Sequence, residues 1–405
     1  MLRLFIFAVL VNLAVGKAPV KQLESKTRIP NEYIVAFEGN ITDDAVVKHL
    51  KQVQTVLSHS NETRPTPKLL SEFNMQSFKG YAFRGPMSVV EKIQYMPEVE
   101  FIEANQVFKA VQADCIDQQG ATWGLVRTVE RDLFLDGIYT YDDNAAGEGV
   151  AAYVIDTGIY TQHNDFGGRA TWGTDTVDDP SPETDENGHG THVAGTIGGT
   201  TYGIAKKADL IAVKVLDRNG AGSTISVVNG VQWVENHHRG KQTSNAAGSV
   251  ANMSLGGSFA LAMNLAVVSA INSGVSFVVA AGNAYGADAC DDSPASVEQA
   301  VTVGCSNDQD EFCVFSNAGQ CVNILAPGEG ITSAWINGPF SDNTISGTSM
   351  SSPHVAGVAA KYISSLTSTP TPRQVQNWLE DNATKEKITR VPTDTPNNLV
   401  FMECV

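Results

Sequence analysis

The chain has 405 residues and a formal net charge of −17. That length carries a large core and leaves room for a second domain. The acidic balance excludes a nucleic-acid binder, which needs a basic face, and serves solubility without naming a substrate.

Residues 1–16, MLRLFIFAVLVNLAVG, read as a secretory leader. Arg3 supplies the positive start, residues 4–15 the apolar run, and Ala14 and Gly16 the small residues of a cut after Gly16. The run is too short to span a bilayer comfortably, and no later segment is long and apolar enough. An extracellular protein with no membrane partner is expected. In that compartment Cys115, Cys290, Cys305, Cys313, Cys321 and Cys404 are expected to form disulfides, and spacing alone leaves every pairing open. Glycan acceptor triplets begin at Asn40, Asn61, Asn252 and Asn382. The first two and the last read as exposed loops, whereas Asn252 lies in an apolar strand and is a poor acceptor.

Residues 17–110 read as a small α+β domain. EYIVAF is a strand, and DDAVVKHLKQVQTVL has helical spacing behind a capping acid. GYAFRG is a second strand, SVVEKIQYM a second helix and VEFIEANQVF a last strand. Residues 109–122, KAVQADCIDQQGAT, read as a linker. In the following domain, residues 111–405, the texture changes from Trp123 onward. GVAAYVID, DLIAVKVL, GSVANMSL, VSFVVAAGN, QAVTVGC and VNILAPG are apolar strands. STISVVNGVQWVENHH and ALAMNLAVVSAINSG have helical period between them. Apolar strands alternating with helices predict a doubly wound, mostly parallel α/β sheet covered on both faces. Functional residues in such a sheet collect at the carboxyl ends of the strands.

Four stretches carry chemistry. In TISGTSMSSPHVAG, residues 344–357, Pro353 fits a first helical turn, so a helix is expected to begin near Ser349 to Ser352. Ser349 then lies at a helix N-terminus, where free N–H groups favour developing negative charge. Taken alone, a serine there is more often a simple cap. A nucleophilic serine needs a base, and ENGHGTHVAG offers His189, ahead of a helix body, and His192, in its first turn. The base needs an orienting acid, and VAAYVIDTG ends its apolar strand in Asp156. In VVAAGN, Asn283 ends another strand and can donate to an oxyanion together with the Ser349 N–H. Each residue also has a plain structural reading: a core histidine, a strand-end cap, a turn asparagine.

Together VIDTGI, NGHGTHVAG, SLGG, AAGN and SGTSMSSPHVAG resemble the subtilisin-like serine proteases, most closely the proteinase K group, in the family order Asp, His, Ser. The resemblance runs from about Trp123 to the C-terminus. It implies Asp156, His189 and Ser349 as the triad, Asn283 as oxyanion donor, and structural roles for His192, Ser346, Ser351, Ser352 and His354. It implies a substrate cleft for protein and peptide substrates. Ser254, Leu255 and Gly256 form one wall of the pocket for the residue before the scissile bond. Ala280, Ala281 and Gly282 form the other, and Gly220, Ala221 and Gly222 the edge that pairs with an extended peptide. Backbone pairing reads shape more than sequence, which implies broad specificity with an apolar preference. Asp291 and Asp292 fall near the pocket, where they either admit a basic side chain or, the favoured reading, play no part.

FKGYAFRG and VEFIEANQVF resemble the family's inhibitor-type propeptide. They imply a self-processing zymogen whose first domain templates folding and inhibits until a cut between Lys109 and Cys115. The resemblance also implies a Cys290–Cys321 bridge, with Cys305–Cys313 and Cys115–Cys404 following, and a monomer. The sequence departs from the pattern in three places. Val193 replaces a free cysteine beside the histidine and Ser351 replaces an alanine. Asn323 stands where a carboxylate anchors the main calcium, which wants charged oxygen ligands. No cofactor is expected for catalysis, and a structural calcium is not supported. Two competing readings are a non-catalytic relative that keeps its propeptide as a lid, and a lipase-type hydrolase. The complete triad opposes the first, and the Asp, His, Ser order without G-x-S-x-G opposes the second.

Overall fold

A computed structural model describes residues 17–404 apart from 26–27, 40, 59–65, 108–114, 178–181 and 242–246. The leader, Asn40, Asn61 and the expected maturation segment lie outside the described residues. The chain divides into two compact units, Met1–Val111 and Gln112–Val405.

The first unit is a five-stranded sheet in the order Val20–Lys21, Val99–Gln106, Arg28–Phe37, Lys79–Arg84, Lys68–Asn74. Only the first pair is parallel. Helices Asp43–Ser58 and Met87–Ile93 supply Val53, Leu57, Val89, Val90 and Ile93 to a core with Val35, Tyr81, Phe83 and Ile102. Within it His49 is fully buried between Glu98 and Tyr81.

In the second unit a nine-stranded sheet runs Thr384–Lys385, Asn398–Leu399, Ile324–Pro327, Val301–Ser306, Val275–Ala280, Gly248–Met253, Val150–Asp156, Asp209–Lys214, Ala170–Asp175. All its pairings are parallel except the one at the Thr384–Lys385 edge. The strands are apolar throughout because both faces are covered, and alternate residues go to opposite cores. Ala152 and Val154 pack with Ile197, Val355, Ala356 and Ala359 on one face. Ala151, Tyr153 and Ile155 pack with Val231, Val234, Val267 and Ile271 on the other. The first core belongs to helices His189–Gly198 and Thr348–Ser365, and the second to Thr224–Lys241 and Leu261–Asn272. Small residues let the Thr348–Ser365 helix lie deep. A Cβ on Gly357 would come within 2.6 Å of the Ile204 Cβ. Strand order reverses at Val150–Asp156, with Asp209–Lys214 on one side and Gly248–Met253 on the other, which opens a crevice at the strands' carboxyl ends.

Three disulfides join Cys115 to Cys404, Cys290 to Cys321 and Cys305 to Cys313. Some expectations need correction. Part of the expected linker is a strand: Cys115–Gln119 pairs antiparallel with Ile138–Asp142. Its polar residues gave no strand signal, and the neighbouring strand supplies the hydrogen bonds that order it. Strands Lys68–Asn74 and Ala170–Asp175 and helix Pro372–Asn382, which a Thr371/Gln374 capping box starts, add to the predicted elements. Asn382 is no exposed loop. It ends that helix half-buried, its Nδ2 donating 2.8 Å to the Phe401 carbonyl, and Ala383 and Thr384 beside it are buried. Asn252 is also buried, with its amide used at both ends.

Candidate active site

Asp156 is the last residue of its strand and is fully buried. Its Oδ1 accepts from the Thr157 N–H at 2.7 Å and faces His189 Nδ1 at 2.8 Å. A fully buried carboxylate is tolerable only with such partners. His189 is the first residue of its helix rather than a residue ahead of it, with Gly188 as cap at φ 104°. Gly190 is required one step later, since a Cβ there would fall 2.1 Å from the Gly158 carbonyl oxygen.

The anchor of this corner is Asp185, which the sequence reading passed over. Its Oδ1 accepts from Thr157 Oγ1 and from the N–H groups of Asn187 and Gly188, at 2.9 to 3.0 Å. Its Oδ2 accepts from the Thr191 N–H and hydroxyl at 2.9 and 2.7 Å. Thr157 Oγ1 in turn accepts from the Gly190 N–H at 2.9 Å. One carboxylate thus ties the start of the histidine helix to the end of the Asp156 strand. The available signal was an acid four residues before His189, beside a helix N-terminus that favours negative charge.

Burial works against a charged His189, but the charge and hydrogen bond of Asp156, with Asp185 behind, outweigh it and hold the ring above its ordinary value. Only the neutral ring can take a proton, so activity rises as pH rises through this raised value. The acidic limb of kcat/KM is therefore expected to have its midpoint above 6.5, the ordinary histidine value. A pH profile on a neutral peptide checks this, and a midpoint below 6.5 contradicts it.

His192 and His354 are buried and engaged elsewhere. His192 is buried, faces the Ile331 carbonyl through Nε2 at 2.9 Å, and is pushed down to about 4 by burial. His354 faces the Met350 carbonyl through Nδ1 at 2.8 Å and is likewise pushed down to about 4. Both are neutral at working pH.

Ser349 is the second residue of the helix Thr348–Ser365. Pro353 lies in the second turn, not the first, and its position has a use. A proline at that point leaves the carbonyl four residues back without its helical partner. That carbonyl belongs to Ser349, and the Ser254 hydroxyl donates to it at 2.7 Å. Ser349 Oγ donates back to the Ser254 carbonyl at 3.1 Å. Asn252 Nδ2 donates to Ser254 Oγ at 2.8 Å, and Ser352 Oγ donates to Asn252 Oδ1 at 2.7 Å. Ser349 is thereby pinned to the segment 252–254. Ser346 Oγ accepts from the Gly330 N–H, while the buried Ser351 hydroxyl has no partner among the described residues.

Asn283 stands three residues beyond its strand. Its Oδ1 accepts from the Thr348 N–H and hydroxyl at 2.9 and 3.0 Å, which turns Nδ2 the other way. A Cβ placed on Gly347 would sit 3.5 Å from Asn283 Nδ2 and 3.6 Å from the Ser349 nitrogen. Two donors therefore line one small space next to Ser349, an arrangement that can hold a negatively charged oxygen.

His189, residues 220–222 and residues 254–256 line one cavity of about 680 Å³. A second, of about 270 Å³, is lined by Leu255 and Gly256, by Ala280, Ala281 and Gly282, and by Asn283 and Ser349. Asp292 also lines it, whereas Asp291 is exposed and outside it. Asn323 does not fit a cation site. Its Oδ1 accepts from the Thr302 N–H and its Nδ2 donates to Glu380, both at 2.8 Å, so the amide is occupied at both ends.

Residues 147–399 match the subtilase family model. The chain belongs to the subtilase family. Residues 32–110 of this subtilase match the peptidase inhibitor I9 family. It is 41% identical to the subtilisin-like serine protease Pen c 2 of Penicillium citrinum, over 95% of this chain and 91% of that protein. It is 39% identical to alkaline protease 2 of Aspergillus fumigatus, over 95% and 84%. A crystal structure of a cold adapted subtilisin-like serine proteinase is 48% identical, with a TM-score of 0.64, over 70% of this chain and 98% of that one. The subtilase is a serine endopeptidase preceded by an inhibitor-type propeptide.

Proposed function

We propose that this subtilase is a secreted, monomeric endopeptidase, made as a zymogen that cuts itself between Lys109 and Cys115. The observation that carries the reading is the half-buried His189, held by the fully buried Asp156, in a cavity that shares Leu255, Gly256 and Gly257 with the cavity lined by Ser349 and Asn283. Ser349 Oγ turns from the Ser254 carbonyl toward His189 Nε2 and attacks the peptide carbonyl as His189 takes its proton. Asn283 Nδ2 and the Ser349 N–H hold the oxyanion. His189 gives its proton to the leaving amine, and a water then releases the acyl group by the same steps. These residues do the chemistry without a metal, and the hydrogen-bonded Asn323 amide supports a fold that does not use calcium at that position.

Leu216, Val227, Leu255 and Met263 line the larger cavity and support broad recognition of apolar side chains along an extended peptide. The three disulfides support an oxidising compartment, as does the leader pattern of residues 1–16, with Asn40 and Asn61 as glycan acceptors. No helix among the described residues is long and apolar enough to cross a membrane. Until it is cut, the first unit acts as inhibitor and folding template, which suits a slow-forming sheet of long-range parallel pairs. The test is expression of the full chain from a secreting host. Secreted protein with a new N-terminus between Lys109 and Cys115 and chelator-resistant hydrolysis of an unfolded protein are expected. Retention in the cell, or an intact N-terminal unit on fully active enzyme, contradicts the reading.

A further inference from the structure

The cavity of about 270 Å³ beside Ser349 is lined by small and apolar residues and by one ionisable group, Asp292. Its carboxylate is held in place rather than left on a free loop. Asp292 Oδ2 accepts from Asn317 Nδ2 at 3.0 Å. Asn317 is fully buried, and its Oδ1 accepts from the Ala284 N–H at 2.7 Å, so its donor end can only point at the acid. A Cβ on Gly282 would sit 3.4 Å from Asp292 Oδ2, which puts the carboxylate against the wall formed by residues 280–282. The backbone is fixed as well. Asp292–Ser293 pairs antiparallel with Gly257–Ser258, directly after the opposite wall. Asp288 caps the turn Ala289–Asp291, and the Cys290–Cys321 bridge closes it.

Among the described residues no lysine, arginine or histidine pairs with Asp292, and no hydrogen bond reaches its Oδ1. Resting on the reading of this cavity as the pocket for the residue before the scissile bond, we propose that Asp292 selects a lysine or arginine side chain there. Gly256, Ala280, Ala281 and Gly282 leave room for a long aliphatic stem, and such stems lie along apolar walls with the charge at the end. The free oxygen then accepts a charge-assisted hydrogen bond. A substrate glutamate meets the same carboxylate and is repelled. An apolar residue fills the walls but leaves the acid without a partner.

The experiment uses the mature enzyme and one mixture of four peptides that differ only before the scissile bond, with arginine, lysine, leucine or glutamate. Competition in one mixture gives ratios of kcat/KM that do not depend on how much enzyme is folded. Wild type is expected to favour arginine and lysine over leucine and to reject glutamate. Asp292→Asn is expected to lower the arginine-to-leucine ratio about 10- to 100-fold, the range of one hydrogen bond to a charged group. Wild type that favours leucine overturns the proposal, as does an unchanged ratio in Asp292→Asn. If the variant is inactive on every peptide, the wild-type ratios decide, together with competition by benzamidine, an amidinium that the proposal expects to block the pocket. Failure of the protease reading looks different: no peptide is cut, and Ser349 does not react with a fluorophosphonate probe.

Discussion

Replacing Ser349 by alanine is expected to lower turnover about 10⁶-fold, the loss that removal of the serine causes in subtilisin. The size follows from the chemistry. On this assignment Ser349 carries the hydroxyl that His189 deprotonates, and the oxyanion donors and the cleft alone retain only a modest acceleration. The fold should hold, because among the described residues Ser349 Oγ makes one hydrogen bond, to the Ser254 carbonyl, while the reverse bond to the Ser349 carbonyl remains. Two measurements check this. Peptide hydrolysis should fall to background, and the purified variant should remain an uncut precursor. Removal of the first unit from purified Ser349→Ala, with no other protease present, would show that Ser349 is not the group that cuts it.

Asp156→Asn is expected to cost about 10⁴-fold in kcat, the size seen for the matching change in a chymotrypsin-type triad. The amide loses the charge that stabilises the imidazolium. If its nitrogen faces His189, it also selects the wrong tautomer. A purely structural role would predict a loss of folded enzyme with an unchanged pH profile. Here the sign is specific: His189 is held above its ordinary value chiefly against burial by Asp156, so removing that charge lowers the acidic limb of the residual activity. A residual limb at the wild-type position would contradict the assignment.

Much of this molecule is local and therefore readable from the chain. The strand Val150–Asp156 is legible because burial on both faces demands an unbroken apolar run, and its terminal acid stands out against it. Gly188 and Gly190 flag His189 because only glycine clears the Trp335 ring and the Gly158 carbonyl. The small residues around Ser349 mark a helix laid tightly on a sheet. These are signals of one segment at a time, and the α/β architecture follows from their alternation.

Other features exist only because distant segments meet. Cys115–Gln119 is polar and becomes a strand only beside Ile138–Asp142. Pro353 frees a carbonyl, but that this carbonyl takes the Ser254 hydroxyl depends on a partner 95 residues away. Asp185 gathers hydrogen bonds from Thr157, Asn187, Gly188 and Thr191, and nothing in its own neighbourhood of sequence shows that Thr157 will be there. Asp292 and Asp291 are adjacent and chemically the same. Only the pairing of Asp292–Ser293 with Gly257–Ser258 turns one into the pocket and leaves the other in solvent. Backbone propensity and apolar period act over a few residues, whereas side-chain direction at a site is set by strand order and register, which are decided between segments far apart in the chain.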